Sequence, residues 1–112
     1  MGDPELDELK REFLAEAQAK VREMQSKLAG ARDRQVLDRL IYLAHQLKGS
    51  GGSYGFQRIS TESAELEKGI ERLANGENDS VEESVQQHVS NLRAEIEQGT
   101  RELASLAGSR TL

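Results

Sequence analysis

The chain lacks the residues on which several classes of protein depend. It contains no cysteine among its 112 residues, which excludes disulfide scaffolds, thiolate zinc sites and thiol nucleophiles. It has no tryptophan, two tyrosines, two phenylalanines and one proline, Pro4, whereas strands are enriched in aromatic residues and turns in proline. Leucine, alanine, glutamate, glutamine, lysine and arginine are abundant instead, and these residues favour helices.

A long apolar run and an excess of positive charge are also missing. No segment approaches the roughly 20 apolar residues of a membrane span, and the first residues, MGDPELDEL, are acidic, unlike a signal peptide. The formal net charge of −5 argues against binding to nucleic acid or to anionic lipid. We therefore expect a cytoplasmic protein with one domain over residues 1–112 and no nucleic-acid or membrane partner.

Four stretches of the sequence predict helices. In each, apolar residues recur at steps of three and four, which is the spacing of one buried helix face. The first of these apolar stripes begins with Leu6 and Leu9, and the fourth ends with Leu103 and Leu106. The predicted helices span about residues 4–29, 34–54, 57–75 and 81–107.

Residues that start and stop helices stand at the ends of these stretches. Asp3 and Asp33 are predicted N-caps of the first two helices, and Ser80 with Glu83 forms a capping box before the fourth. Gly30 is a predicted stop for the first helix. Short joints between consecutive helices imply antiparallel neighbours, so we predict an all-α fold, an up-down-up-down antiparallel four-helix bundle. A single long coiled coil is disfavoured because the stripes restart at each cap or glycine.

The two histidines occupy opposite kinds of position on their helices. At 100° per residue, His45 lies directly opposite the apolar stripe of the second helix, on its exposed face. His88 lies in the middle of the apolar stripe of the fourth helix. We interpret His88 as a packed structural histidine and His45 as the candidate functional residue.

The neighbours of His45 leave space around its imidazole. Lys48 is one turn away, Gly49 and Gly52 follow on the same face, and the apolar Ile41 lies one turn before. Each glycine inside a helix costs roughly 0.5–1 kcal/mol relative to alanine. Packing does not explain glycines on an exposed face, and we interpret Gly49, Gly52 and Ile41 as a surface that another protein can approach.

Other interpretations of the glycine-rich segment are weaker. A flexible joint remains possible for Gly49–Ser53, and Gly51, near the buried face, could permit close helix approach. A Walker loop, a dinucleotide fingerprint and the H-E-x-x-H zinc motif are all missing from the sequence. A general-base enzyme would need a pocket and a partner carboxylate, and neither is obvious on a convex face of a helical bundle. We therefore expect neither a cofactor nor a metal site.

One run of residues resembles a known signature. His45-Gln46-Leu47-Lys48-Gly49-Ser50, followed by Gly55-Phe56, is similar to the H-x-L-K-G-S…G pattern of histidine-containing phosphotransfer (HPt) domains of bacterial two-component phosphorelays. The resemblance extends through Arg58-Ile59 and Leu66-Glu67, and a helical bundle of this length fits the same family.

The resemblance implies a role for each matching residue. By it, His45 is the phosphoacceptor, Lys48 steadies the phosphoryl group and Gly49 keeps access open. Gly55 marks the end of the second helix and has a structural role. Some members of the family place a further polar side chain from the third helix beside the phosphate, and Glu67, an acid, stands at the matching position here.

The resemblance also implies a function. The protein would accept a phosphoryl group on His45 from the aspartate of a receiver domain and pass it to another receiver. It would have no autokinase activity, since the receiver brings the aspartate and Mg²⁺. Its partners would be response-regulator receiver domains and a hybrid histidine kinase, with the protein itself a monomer. The alternative is a helical adapter or oligomerisation bundle without covalent chemistry, which explains the helices but not the glycines beside His45 and Lys48.

Overall fold

Four helices account for nearly all of the residues that the structure describes. A computed structural model describes residues 3–78 and 80–110, the last four of them by their backbone alone. The helices are α1 (Pro4–Ala29), α2 (Arg34–Ser53), α3 (Gln57–Ala74) and α4 (Ser80–Arg110). Consecutive helices pack against each other, and α1 also packs against α4, which closes the bundle. The predicted all-α, up-down-up-down four-helix bundle is confirmed.

Side-chain caps begin the first two helices as predicted. Asp3 accepts a hydrogen bond from the Glu5 amide at 2.9 Å, and Asp33 accepts one from the Val36 amide at 2.9 Å. The start of α4 differs from the prediction, because Ser80 is the first helical residue rather than the N-cap. The ends differ slightly as well, since α2 stops at Ser53 and α4 continues to Arg110.

The core consists of the apolar stripes of the four helices. The central turns of α2 and α3 contribute fully buried side chains, whereas Val36 and Leu37 at the start of α2 and Leu73 at the end of α3 are partly buried. Among the described residues, none of the helices is both long enough and apolar enough to cross a membrane. The largest apolar side chains with less than 2% of their surface exposed are Met24, Leu40, Leu43, Leu47, Ile59, Leu66, Ile70, Leu92 and Ile96.

The beginning of the first apolar stripe and the end of the fourth are not buried. Leu6, Leu9 and Leu106 are 40%, 45% and 50% exposed, although the sequence pattern assigned them to the core. The reason is helix length: α1 and α4 are about 39 Å and 46 Å long, whereas α2 is about 30 Å. The ring of Tyr54, just after α2, stacks on the ring of Phe13 with their centres 5.3 Å apart. Because α2 ends at the level of Phe13, the turns of α1 that precede Phe13 extend past it.

Glycines let α3 approach both of its neighbours closely. A Cβ atom on Gly51 of α2 would lie 3.1 Å from Ile59 Cγ2 and 3.2 Å from the Ser60 amide nitrogen of α3. A Cβ atom on Gly69 of α3 would lie 2.8 Å from Val85 Cγ2 of α4. The predicted role of Gly51 in close helix approach is therefore confirmed, and α3 is held at a short distance from α2 and α4.

An ion pair ties the joint between α1 and α2 to the start of α4. Arg32 donates two hydrogen bonds to the Glu82 carboxylate and two more to the Leu28 carbonyl at the end of α1. The hydrogen bond from Arg32 is the main cause of a lowered Glu82 pKa, against a smaller opposing effect of burial. One guanidinium thus links three elements of the bundle.

We expect this pair to make stability depend on acid pH. Because the folded-state pKa of Glu82 lies below its unfolded value of 4.5, its contribution is complete above pH 4.5. It is lost as the pH falls through the folded-state pKa. Glu82→Gln should therefore lower the melting temperature slightly at pH 7, and the difference from wild type should be smaller at pH 3. An equal difference at both pH values would contradict this account.

Candidate functional site

The imidazole of His45 stands on the outer face of α2. On the same helix, Leu40, Leu43 and Leu47 have at most 1% of their surface exposed, whereas the His45 side chain is 68% exposed. This separation follows from the 100° rotation per residue, which turns the apolar stripe inward and the histidine outward. The second helix therefore presents a ring nitrogen on a convex surface of the molecule.

A carboxylate from α3 holds one of the two ring nitrogens. His45 Nδ1 lies 3.1 Å from Glu67 Oε2, and the Glu67 side chain is only 15% exposed. A neutral imidazole that donates its Nδ1 proton to a carboxylate keeps its lone pair on Nε2. In that tautomer the free nitrogen is a nucleophile, and the carboxylate stabilises positive charge that develops on the ring during attack.

Lys48 belongs to the same cluster. Its Nζ lies 4.0 Å from Glu67 Oε1, and about half of its side chain is exposed. The carboxylate of Glu67 thus lies between the imidazole and the ammonium group, with one oxygen toward each. The structure brings together the three residues of α2 and α3 that the sequence associated through the resemblance.

Ser60 is a residue of this region that the sequence reasoning missed. Its hydroxyl donates a hydrogen bond to the Lys48 carbonyl at 2.8 Å and so joins the first turns of α3 to the turn of α2 that carries Lys48. A serine three residues inside a helix carries no recognisable signal in the sequence, because only the packing of two helices places a carbonyl within its reach.

The two glycines beside His45 differ in their surroundings. A Cβ atom on Gly49 would meet nothing within 4 Å, so this position is open. A Cβ atom on Gly52 would lie 3.6 Å from Ser60 Oγ, and Gly52 is half-buried. Gly49 is therefore open on every side, whereas Gly52 lies beside Ser60, at the edge of the contact between α2 and α3.

The remaining predicted residues lie around this cluster or away from it. Ile41 is half-buried and packs against the core, so only part of its side chain is on the surface near His45. Gly55 has a φ of 83°, a left-handed conformation that glycine adopts without strain, and it follows Tyr54, the C-cap of α2. Its conformation turns the chain from α2 into α3.

His88 lies on a different seam of the bundle. Its Nδ1 is 2.6 Å from Glu62 Oε2 of α3, and 24% of its side chain is exposed. Glu62 and Glu67 are five residues apart, which places them about 140° apart around α3. The structure therefore does not bring His88 to His45; each histidine pairs with its own glutamate on a different side of α3.

His45 lies outside the groove between the start of α3 and the second half of α4. That groove has a volume of about 590 Å³, and His45 is not among its lining residues. Among the described residues, no three His, Asp or Glu side chains are grouped as potential ligands of one metal ion. The site thus consists of an imidazole, a carboxylate and an ammonium group on an open surface.

Comparison with known proteins identifies the family. The model of the Hpt domain matches residues 8–100, which include all of α2 and α3 and most of α1 and α4. Comparisons with curated proteins and with solved structures give no match. Since the matched region is most of the chain and contains the whole cluster around His45, this chain belongs to the Hpt domain family, whose members are phosphotransfer intermediates of phosphorelays and not kinases.

Proposed function

We propose that His45 accepts a phosphoryl group at Nε2 from the aspartyl phosphate of one receiver domain and transfers it to the aspartate of another. The observation that supports this most directly is the exposed imidazole whose Nδ1 is held by Glu67. This hydrogen bond leaves Nε2 as the nucleophilic nitrogen and directs attack to one position of the ring.

The step exchanges one bond to phosphorus for another. The Nε2 lone pair forms the N–P bond while the P–O bond to the aspartate of the receiver breaks, and the aspartate leaves as a carboxylate. The receiver supplies Mg²⁺, which neutralises charge on the phosphoryl oxygens. Glu67 stabilises the positive charge of the phosphorylated ring through Nδ1. Transfer to the next receiver is the same step in reverse.

The surrounding residues support this step in different ways. Lys48, whose ammonium lies one turn from His45, provides a positive charge for the phosphoryl oxygens. Gly49 and the exposed part of Ile41 leave room for the surface of the receiver. Gly52 contributes less directly, because it lies beside Ser60 at the edge of the contact between α2 and α3. Gly55 and His88 have structural roles, at the end of α2 and between α3 and α4.

A transfer assay tests the proposal. Receiver domains are phosphorylated with isotopically labelled acetyl phosphate and Mg²⁺, separated from the reagent and mixed with the protein. We expect the label to move to the protein in an acid-labile, base-stable form, and magnetic resonance of phosphorus and nitrogen to assign it to Nε2. Labelling at Nδ1 would contradict the role of Glu67. Absence of transfer from every receiver would favour the helical adapter, and labelling by ATP alone would contradict the carrier function.

Lys48 should influence the lifetime of the phosphorylated state. A solvent-exposed charge contact contributes about 0.2–1 kcal/mol, which corresponds to at most about a fivefold change in rate. Lys48→Ala should therefore shorten the phosphohistidine lifetime or slow transfer by about two- to fivefold without preventing phosphorylation. The control is Lys10→Ala, which removes the same charge near the beginning of α1. Lifetimes and rates equal to wild type in Lys48→Ala would remove this residue from the site.

A further inference from the structure

Tyr42 differs from the other aromatic residues of this protein. Phe13 is buried, Tyr54 and Phe56 pack against the core, and Tyr42 is 50% exposed in the middle of α2. The other large apolar side chains with similar exposure lie where α1 and α4 extend past their neighbours, so helix length explains them. No such explanation applies to Tyr42.

The exposed ring is nevertheless held in place. The Arg39 guanidinium lies 5.5 Å from the centre of the ring, and Gln46 donates a hydrogen bond to the Tyr42 hydroxyl at 2.7 Å. Arg39 itself donates two hydrogen bonds, at 2.8 Å and 3.1 Å, to Glu23 of α1. A chain of contacts from α1 thus fixes an aromatic side chain on the surface of α2.

The position of Tyr42 connects it to the site of transfer. It lies three residues before His45 and seven before Gly49, so the three residues share one face of α2. Glu67 and Lys48 flank the imidazole on the side of α3, whereas Tyr42 flanks it on the side of α1. A surface that reaches His45 across the open position at Gly49 therefore also meets the ring of Tyr42.

We propose that Tyr42 is an anchor for the receiver domain and helps to determine which receivers this protein serves, with Glu23 and Arg39 as positioning residues. This inference rests on the proposed function. The occupant is a receiver domain that presents an apolar recess beside its phosphoacceptor aspartate, because that recess must be continuous with the contact at His45. A rigid aromatic side chain loses little conformational freedom on binding, and aromatic anchors of this kind dominate the energetics of many interfaces.

Single-turnover transfer separates binding from chemistry. The receiver that phosphorylates the wild-type protein fastest is used at increasing concentrations, and the half-saturating concentration and the maximal rate are measured. Loss of an anchor costs more than 1 kcal/mol, so Tyr42→Ala should raise the half-saturating concentration at least about fivefold. The maximal rate should stay within about twofold of wild type, since the imidazole is positioned by the hydrogen bond to Glu67 and not by Tyr42.

Three further variants make the test specific. Tyr42→Phe keeps the ring and should bind like wild type within about twofold. Glu23→Gln, which removes the carboxylate charge that pairs with Arg39 and leaves the sequence of α2 unchanged, should raise the half-saturating concentration by a smaller factor at an unchanged maximal rate. Leu106→Ala removes an equally exposed side chain from the far end of α4 and should change neither quantity.

The outcomes distinguish this inference from the proposed function. If the Tyr42→Ala variant has the half-saturating concentration of the wild type, Tyr42 is not an anchor, whereas the role of His45 as the phosphoacceptor is unaffected. An equal effect of Leu106→Ala, or a fall in the maximal rate alone, would also overturn it. Failure of every receiver to phosphorylate the wild-type protein would contradict the proposed function and, with it, the anchor.

Discussion

His45→Gln should abolish phosphorylation of this protein while its fold is retained. Glutamine has no ring nitrogen that can attack phosphorus, so the expected effect is complete loss rather than a slower rate. The side chain is 68% exposed and makes one cross-helix hydrogen bond, which the glutamine amide can still donate to Glu67. Substitutions at such surface positions usually change stability by no more than about 0.5 kcal/mol. Circular dichroism and melting curves should therefore match wild type.

The second histidine provides the matched control. His88→Gln changes the same residue type, but on the seam between α3 and α4, where His88 pairs with Glu62. This variant should be labelled by a phosphorylated receiver at the wild-type level. Loss of label in His88→Gln alone would show that the assignment of the two histidines is reversed. Residual acid-labile label in His45→Gln would show that a second acceptor exists.

Gly49→Gln should stabilise the protein and impair its function. A Cβ atom at this position meets nothing within 4 Å, and Gly49 lies inside α2, where glycine is unfavourable. Replacement of such a glycine by a residue with good helix propensity stabilises a fold by about 0.4–1 kcal/mol. The long side chain would, however, project from the surface one turn after His45, where the receiver must come within bonding distance. Transfer should fall at least about tenfold, which corresponds to about 1.4 kcal/mol.

Gly49→Ala is the control for this experiment. It adds one methyl group, gains similar stability and leaves most of the open surface unobstructed, so its transfer rate should stay much closer to wild type. A Gly49→Gln protein that melts below wild type would mean that Gly49 is needed for the backbone conformation of α2. A variant that is stable and transfers normally would show that the open surface is incidental. The opposite movement of stability and activity is expected where a locally unfavourable residue is kept for function.

Local sequence patterns were sufficient for the helices and for the exposure of His45. Both depend on rotation by 100° per residue within a single helix, which needs no knowledge of the neighbouring helices. The same arithmetic indicated that Gly51 faces inward. In the structure, a Cβ atom added to Gly51 would lie 3.1 Å from Ile59 Cγ2. The same rotation does not locate the edge of a contact between two helices, where Gly52 lies half-buried beside Ser60.

The burial of the helix ends could not be read from the sequence. Leu6, Leu9 and Leu106 continue the apolar stripes of α1 and α4 with the right spacing, yet they are exposed. Whether a stripe is covered depends on how far the partner helices extend along it. That distance is decided by the turn at Gly55 and by the stacking of Tyr54 on Phe13, which are contacts between elements.

The sequence by itself determined the number of helices, the outward direction of His45 and, through its motif, the matching positions of Lys48 and Glu67. Only the tertiary structure decided what those side chains contact. Glu67 is one of four glutamates of α3, and it reaches His45 because close packing at Gly51 sets the rotation and the axial offset of α3 against α2. The contacts that hold Tyr42 likewise depend on Glu23 of another helix. Helical periodicity is a local property of the chain, whereas the pairing of side chains between helices depends on how the whole core packs.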